Sequence, residues 1–143
     1  MIVVGIDGSP GSQPALRFAA DEARLRGVKL RVVIAAQIPT AIYFASSALA
    51  AFDPDATRRT ARDLAELDVE TVVGPRRSQN VEVTALAGGA ASVLIEESRR
   101  AQLLVVGSRG HGGFAGLLLG SVGQHCAAHA HCPVVIVHPP RAK

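Results

Sequence analysis

Residues 107–121 read Gly-Ser-Arg-Gly-His-Gly-Gly-Phe-Ala-Gly-Leu-Leu-Leu-Gly-Ser, with six glycines and a single arginine. Glycine lets a backbone take positive φ and come close to a ligand. A helix expected to begin at Ser121 adds unpaired N–H groups and the positive end of a dipole, which suits phosphate. Arg109 adds a full positive charge that can pair with a phosphate oxygen. A second turn, Asp7-Gly8-Ser9, closes the apolar run at residues 2–6. Asp7 reads either as the cap of that turn or as a ligand group, and Ser9 either as a turn residue or as a contact. The loop is not a Walker A sequence, because no Gly-Lys-Ser/Thr occurs, and it is not a GxGxxG dinucleotide fingerprint.

The remaining reactive side chains cluster late. All five histidines (His111, His125, His129, His131, His138) and both cysteines (Cys126, Cys132) lie from position 111 onward. His125 and His129 are one helical turn apart, a spacing that can bind zinc. No CxxC and no nearby acidic residue completes such a site, so no metal ligand is assigned and the thiols read as packing residues. Phosphoryl transfer calls for a phosphate lysine, a metal carboxylate and a base. Only Arg109, Asp7 and the loop histidine His111 are on offer, and no Gly-x-Ser-x-Gly elbow occurs. No catalytic residue is assigned.

The elements that must hold the two glycine turns follow from periodicity. Residues 2–6 are a short β-branched strand. A helix follows, with Ser12 as its N-cap, Pro14 in its first turn, and Ala15, Leu16, Ala19, Ala20 and Ala23 at helical spacing. Arg24 and Arg26 suit its carboxyl end and Gly27 stops it. Residues 30–36 form a continuous apolar strand of the kind buried on both faces of a parallel sheet. Residues 38–52 read as a loop with a short helix. Residues 54–73 read as a helix bounded by Asp53 and Gly74-Pro75, with Ala61, Leu64, Ala65 and Val72 on one face; an extended tail at 69–73 stays open. Strands at 81–86, 103–106 and 134–137 alternate with helices at 90–100 and 121–130.

Strands alternating with helices predict an α/β fold: an open, doubly wound, five-stranded parallel sheet with right-handed crossovers and helices on both faces. In the order 3-2-1-4-5, ligand binds outside the carboxyl ends of strands one and four, where the order reverses. Those ends are Asp7-Gly8-Ser9 and Gly107-Ser108-Arg109-Gly110. Fold and glycine placement indicate the same crevice.

Length and composition set outer bounds. The 143 residues make one domain, 1–143, with 48% hydrophobic residues, 19% charged and a mean hydropathy of +0.27. The longest nearly apolar stretch, 41–52, is too short to cross a bilayer. Met1 runs straight into an apolar strand, so no signal peptide is expected and the cytoplasm is the expected compartment. Net charge is +3, and 13 of the 15 basic residues are arginines, scattered in pairs rather than in a block. With five aromatics in all, no stacking platform for nucleic acid is expected.

At this point the sequence resembles the universal stress protein family. The pattern G-x2-G-x9-G-[S/T] is met by Gly107, Gly110, Gly120 and Ser121. The opening Val4-Gly5-Ile6-Asp7-Gly8-Ser9 and the ending Ala130-His131-Cys132-Pro133-Val134-Val135-Ile136-Val137 resemble the family's first and last strands. The resemblance implies ATP binding. It implies that Asp7 meets the ribose or a phosphate-bound metal such as Mg²⁺, and that Ala35 and Val106 line the adenine pocket. It further implies that Gly107 and Gly110 let the loop approach ribose and phosphates, and that Gly120, Ser121 and Val122 cradle the phosphates. Gly123 departs from the pattern, standing where a second hydroxyl residue is usual. A homodimer through Val134, Val135, Ile136 and Val137 is expected, because this apolar strand falls at a sheet edge without a charge to protect it. The function expected is an adenine-nucleotide-binding stress-response or regulatory protein with little turnover. A slow ATP hydrolase and a ligand-free dimeric interaction module are the alternatives, and AMP, ADP or a cyclic nucleotide remain open as ligands.

Overall fold

Strands dominated by Val, Ile and Leu are stable only where both faces are covered, and the three central strands are of this kind. A computed structural model describes residues 1–38, 50–74, 80–111, 116 and 118–141. In it β1 (Ile2–Ile6), β2 (Leu30–Ala36), β3 (Val81–Ala87), β4 (Leu103–Gly107) and β5 (Val134–Val137) form one parallel sheet. The order is β3-β2-β1-β4-β5, the one expected. The central strands β1, β2 and β4 are almost wholly buried, whereas β5 is half-buried along all four residues. The other edge, β3, alternates as Val81-Glu82-Val83-Thr84 and is also largely half-buried.

Side chains alternate across the sheet, so the two faces collect different residues. Ile2, Val4, Ile6, Val32, Ile34 and Val105 pack under α1 (Gln13–Arg26) and α2 (Pro54–Val73), meeting Leu16, Ala19, Ala65 and Val69. Val3, Val33, Leu104 and Val106 pack under α3 (Ala90–Ser98) and α4 (Ser121–His129), meeting Leu94 and Cys126. Each fully buried Leu, Ile or Val contributes roughly 1.5–3 kcal/mol relative to exposure, so the sheet centre dominates stability. Burial also pushes the Cys126 thiol up to about 11, which keeps it protonated and inert.

Local chemistry explains the helix ends. Gly27 takes φ 62° and its N–H closes onto Ala23 and Arg24, ending α1 as expected. Ser12 precedes α1 but does not cap it with its side chain; its hydroxyl donates instead to the Ser9 carbonyl at 2.9 Å, within the 3-10 turn Pro10–Ser12. Asp53 does cap α2, accepting the Asp55 N–H at 2.9 Å. The tail at 69–73 is helical, because Val69 and Val72 point together into the core. At the amino end of the sheet, Arg31 bridges Glu97 at 2.7 Å and Glu82 at 2.6 Å, tying β2 to α3 and β3. Most of the loop expected at 38–52 lies outside the described residues.

Candidate functional site

From β1 the chain crosses to β2, and from β4 to β5, so it leaves the middle of the sheet in opposite directions. The crevice between the carboxyl ends of β1 and β4 is the topological switch point. Asp7 stands at its floor, just past β1. Its Oδ1 accepts the Ser9 N–H at 3.0 Å and the Ser9 hydroxyl at 2.5 Å, and its Oδ2 accepts the His111 N–H at 3.0 Å. Burial pushes the carboxyl upward, but the bonds from Ser9 and His111 outweigh it and leave Asp7 below the ordinary aspartate value. It is therefore a carboxylate at neutral pH, with lone pairs to spare beyond the three donors it already meets.

The glycines on either side are there for contact. Gly8 has φ 77°, and the Leu64 side chain of α2 sits 2.5 Å from the place a Cβ would take. A Cβ on Gly107 would lie 3.0 Å from the Gly11 carbonyl, and one on Gly11 would lie 3.2 Å from the Arg109 carbonyl. The turn after β1 and the loop after β4 are thus pressed backbone to backbone. At Gly110 the space for a Cβ is taken by Asp7 Oδ2. Arg109 itself is exposed at the rim.

The far wall is the start of α4. The Gly120 N–H donates to the Ser108 carbonyl at 2.7 Å, and the Ser108 N–H donates to the Val137 carbonyl at 2.9 Å. Ser108 therefore links the loop, the N-cap of α4 and the end of β5. It is 1% exposed, and its Oγ has no hydrogen-bond partner. No side chain caps α4, so the N–H groups of Ser121, Val122 and Gly123 in its first turn have no intrahelical acceptor. This is an anion-binding arrangement: oriented amides at a positive dipole end, an arginine at the rim and a carboxylate that can hold a ribose hydroxyl. The same carboxylate can supply one ligand to a cation bridging phosphates, as Mg²⁺ usually requires beside its waters. Among the described residues no group of three or more His, Cys, Asp or Glu could hold a metal ion.

Asp7, Gly8, Ser9, Gly107, Arg109, Gly110, Gly120, Ser121 and Val122 all fall around this one crevice. Ala35 is half-buried near the end of β2, while Val106 is 2% exposed and packs in the core beneath α4. Gly112 and Gly113 of the expected loop lie outside the described residues. Three participants were not singled out from sequence. Gly11 and Ser108 carry no signal beyond their small size. Asp68 does: it sits three residues after Ala65 and four before Val72, on the apolar stripe of α2, where an acid is out of place. It is 8% exposed, accepts a hydrogen bond from Gln13, and leaves Oδ2 without a partner. Burial, and the nearby charge of Asp7, hold its carboxyl above the ordinary range.

Residues 1–138 match the model of the Universal stress protein family. The universal stress protein Rv2623 of Mycobacterium tuberculosis is 36% identical over 140 residues, covering 96% of this chain and 47% of its own length. The chain spans about half the length of the curated relatives it matches. Among solved structures, a universal stress protein in complex with cAMP is 31% identical with TM-score 0.60, covering 96% of this chain and 94% of that one. A universal stress protein from Archaeoglobus fulgidus in complex with dAMP shares the fold at 23% identity and TM-score 0.55, covering 94% of both chains.

Proposed function

The chain belongs to the universal stress protein family, and on that premise we propose that it binds an adenine nucleotide, ATP in the first instance, in the crevice between β1 and β4. The observation that carries this reading is the convergence on Asp7: its Oδ2 holds the His111 amide and fills the space beside Gly110, so one carboxylate organises both glycine turns. The relative in complex with cAMP, 31% identical over nearly the whole chain, supports an adenine ligand. Asp7 takes the ribose or a phosphate-bound Mg²⁺, with Gly8 and Ser9 shaping its turn. Gly107 and Gly110 permit close approach of the loop. Gly120, Ser121 and Val122 hold the phosphates through backbone N–H groups, Arg109 pairs with them from the rim, and Ala35 and Val106 shape the adenine side.

The role is regulatory binding with little turnover, because the glycine loop carries no lysine and its one candidate base, His111, is exposed. A second copy pairs along β5, whose Val134, Val135, Ile136 and Val137 are half-exposed at the sheet edge without a charged side chain. Mass spectrometry of nucleotide released from the purified native protein tests the ligand, and calorimetry with ATP tests the affinity. An adenine nucleotide in stoichiometric yield is the expected result. Incubated with Mg²⁺ and ATP, the protein should release phosphate no faster than about once per minute, against a median of roughly 10 per second for enzymes. Turnover of several per second that Asp7→Ala abolishes would place the chain among the hydrolases.

A further inference from the structure

Gly123 is the third residue of α4, in the first turn that offers its amides to the crevice. It is buried, and what covers it is Leu119: a Cβ on Gly123 would lie 2.7 Å from Leu119 Cδ1 and 3.3 Å from Cγ. The same Cβ would lie 3.8 Å from the Gly107 carbonyl, so position 123 looks onto the floor of the crevice at the end of β4. The Leu119 carbonyl accepts the Gln124 side-chain amide at 2.9 Å, which ties its backbone to α4. An isobutyl group thus fills the place of a side chain at position 123 and supplies no donor beside the exposed amides.

Charge points the same way. Arg109 is the only lysine or arginine between positions 101 and 140, and none precedes Arg17. Arg58 and Arg59 are engaged by Asp55 and Asp53 at the amino end of α2. Among the described residues the crevice therefore sets one arginine and roughly half a charge of helix dipole against the full negative charge of Asp7. A phosphate ester bearing one or two charges is matched by this balance. The second and third phosphates of a nucleotide would add charge without a further described cation to meet it, and the surface beside Gly123 is the Leu119 side chain.

We infer that Leu119, seated in the space left by Gly123, makes this a site for adenosine and its first phosphate, so that without metal the distal phosphates of ATP contribute little to affinity. The inference rests on the adenine-nucleotide reading above and assigns the class of ligand within it. Without metal, AMP and the singly charged cyclic nucleotides then compete with ATP on equal terms, and any advantage of the triphosphate over them would come with Mg²⁺.

The test is calorimetric titration of the full chain with AMP and, in EDTA, with ATP. The expected result is affinities within about threefold of each other, and a ratio shifted about tenfold toward ATP in the Leu119→Ala/Gly123→Ser variant, which exchanges the leucine for a hydroxyl donor. Should that variant lose its helical circular dichroism, Leu119→Ala alone, which leaves the backbone of α4 unchanged, must shift the ratio in the same direction. Metal-free ATP binding to wild type more than about tenfold tighter than AMP overturns the inference while leaving the nucleotide site standing. So does a ratio that neither variant moves. Absence of binding by both nucleotides at millimolar concentration overturns the nucleotide reading and this inference with it.

Discussion

Asp7 Oδ2 accepts the backbone N–H of His111 at 3.0 Å, a bond that spans 104 positions of sequence and fastens the loop after β4 to the end of β1. Ser9 holds the other oxygen through its amide and its hydroxyl. The carboxylate is therefore oriented before any ligand arrives.

Asp7→Asn keeps the size of the side chain but removes its charge. Nucleotide affinity is expected to fall at least about tenfold while the circular dichroism stays native, since hydrogen bonds to charged groups contribute about 1.5–3 kcal/mol. An Asn variant that binds as wild type would remove Asp7 from the site. The sign of the pH effect follows from the lowered carboxyl. The stability it contributes is complete above the ordinary value of 3.8 and is lost as pH falls through the folded value. Melting curves of wild type and variant should accordingly draw together in acid.

Asp68 behaves in the opposite sense. Its carboxyl is raised, chiefly by burial, so the folded state favours the protonated acid. The contribution to stability is complete below 3.8 and is lost as pH rises through the folded value. Asp68→Asn is expected to stabilise the protein at neutral pH by about 1 kcal/mol, with the gain vanishing in acid. Denaturant midpoints at two pH values check this; a variant less stable than wild type at neutral pH contradicts it.

Gly110 and Gly120 should part company. A methyl at 110 meets Asp7 Oδ2, whereas a methyl at 120 meets the Ser108 carbonyl at 3.5 Å and Arg109 Cα at 3.7 Å, both ordinary contacts. Gly110→Ala is expected to break the Asp7–His111 bond and weaken nucleotide binding at least about tenfold, whereas Gly120→Ala should cost less than about 0.5 kcal/mol of stability. Amide chemical shifts of His111 in the two variants distinguish them. Equal shifts would show that the Gly110 contact is relieved elsewhere.

The proposed pairing along β5 is tested by sedimentation. Wild type is expected to be dimeric at micromolar concentration and Ile136→Lys monomeric, because a buried unpaired ammonium costs several kcal/mol. A monomeric wild type rejects the pairing, and a dimer indifferent to the lysine moves the interface to another face.

The sheet was legible because β1 and β2 are rich in Val and Ile, β5 is an unbroken β-branched run, and their ends coincide with turns. Five strands alternating with helices point to a doubly wound sheet, and its order, which sets the switch point, is the expected β3-β2-β1-β4-β5. What escaped were relations across space. Ser12 is a good N-cap by type, but Ser9 offers its hydroxyl a nearer acceptor. The tail at 69–73 is β-branched enough to read as extended, and only the sheet beneath Val69 and Val72 decides for helix. Asp68 broke the stripe of α2 in plain view. Leu119 could not be connected to Gly123 without the turn that brings them together.

The two cores differ in depth, and α4 lies on the shallower one. Its nine residues bury only Gly123 and Cys126, whereas α1 and α2 bury Ala15, Leu16, Ala19, Ala23, Ala65, Val69 and Val72. In hydrogen exchange, α4 should open well before the sheet does, since opening free energy follows buried apolar contact. A ligand bridging Asp7 and the first turn of α4 would then act as a clasp, slowing that opening in proportion to its free concentration over its Kd. Resistance of the α4 segment to a protease would rise and fall with the surrounding nucleotide pool, so the wall of the crevice that is weakest when bare becomes the part of the molecule that registers occupancy.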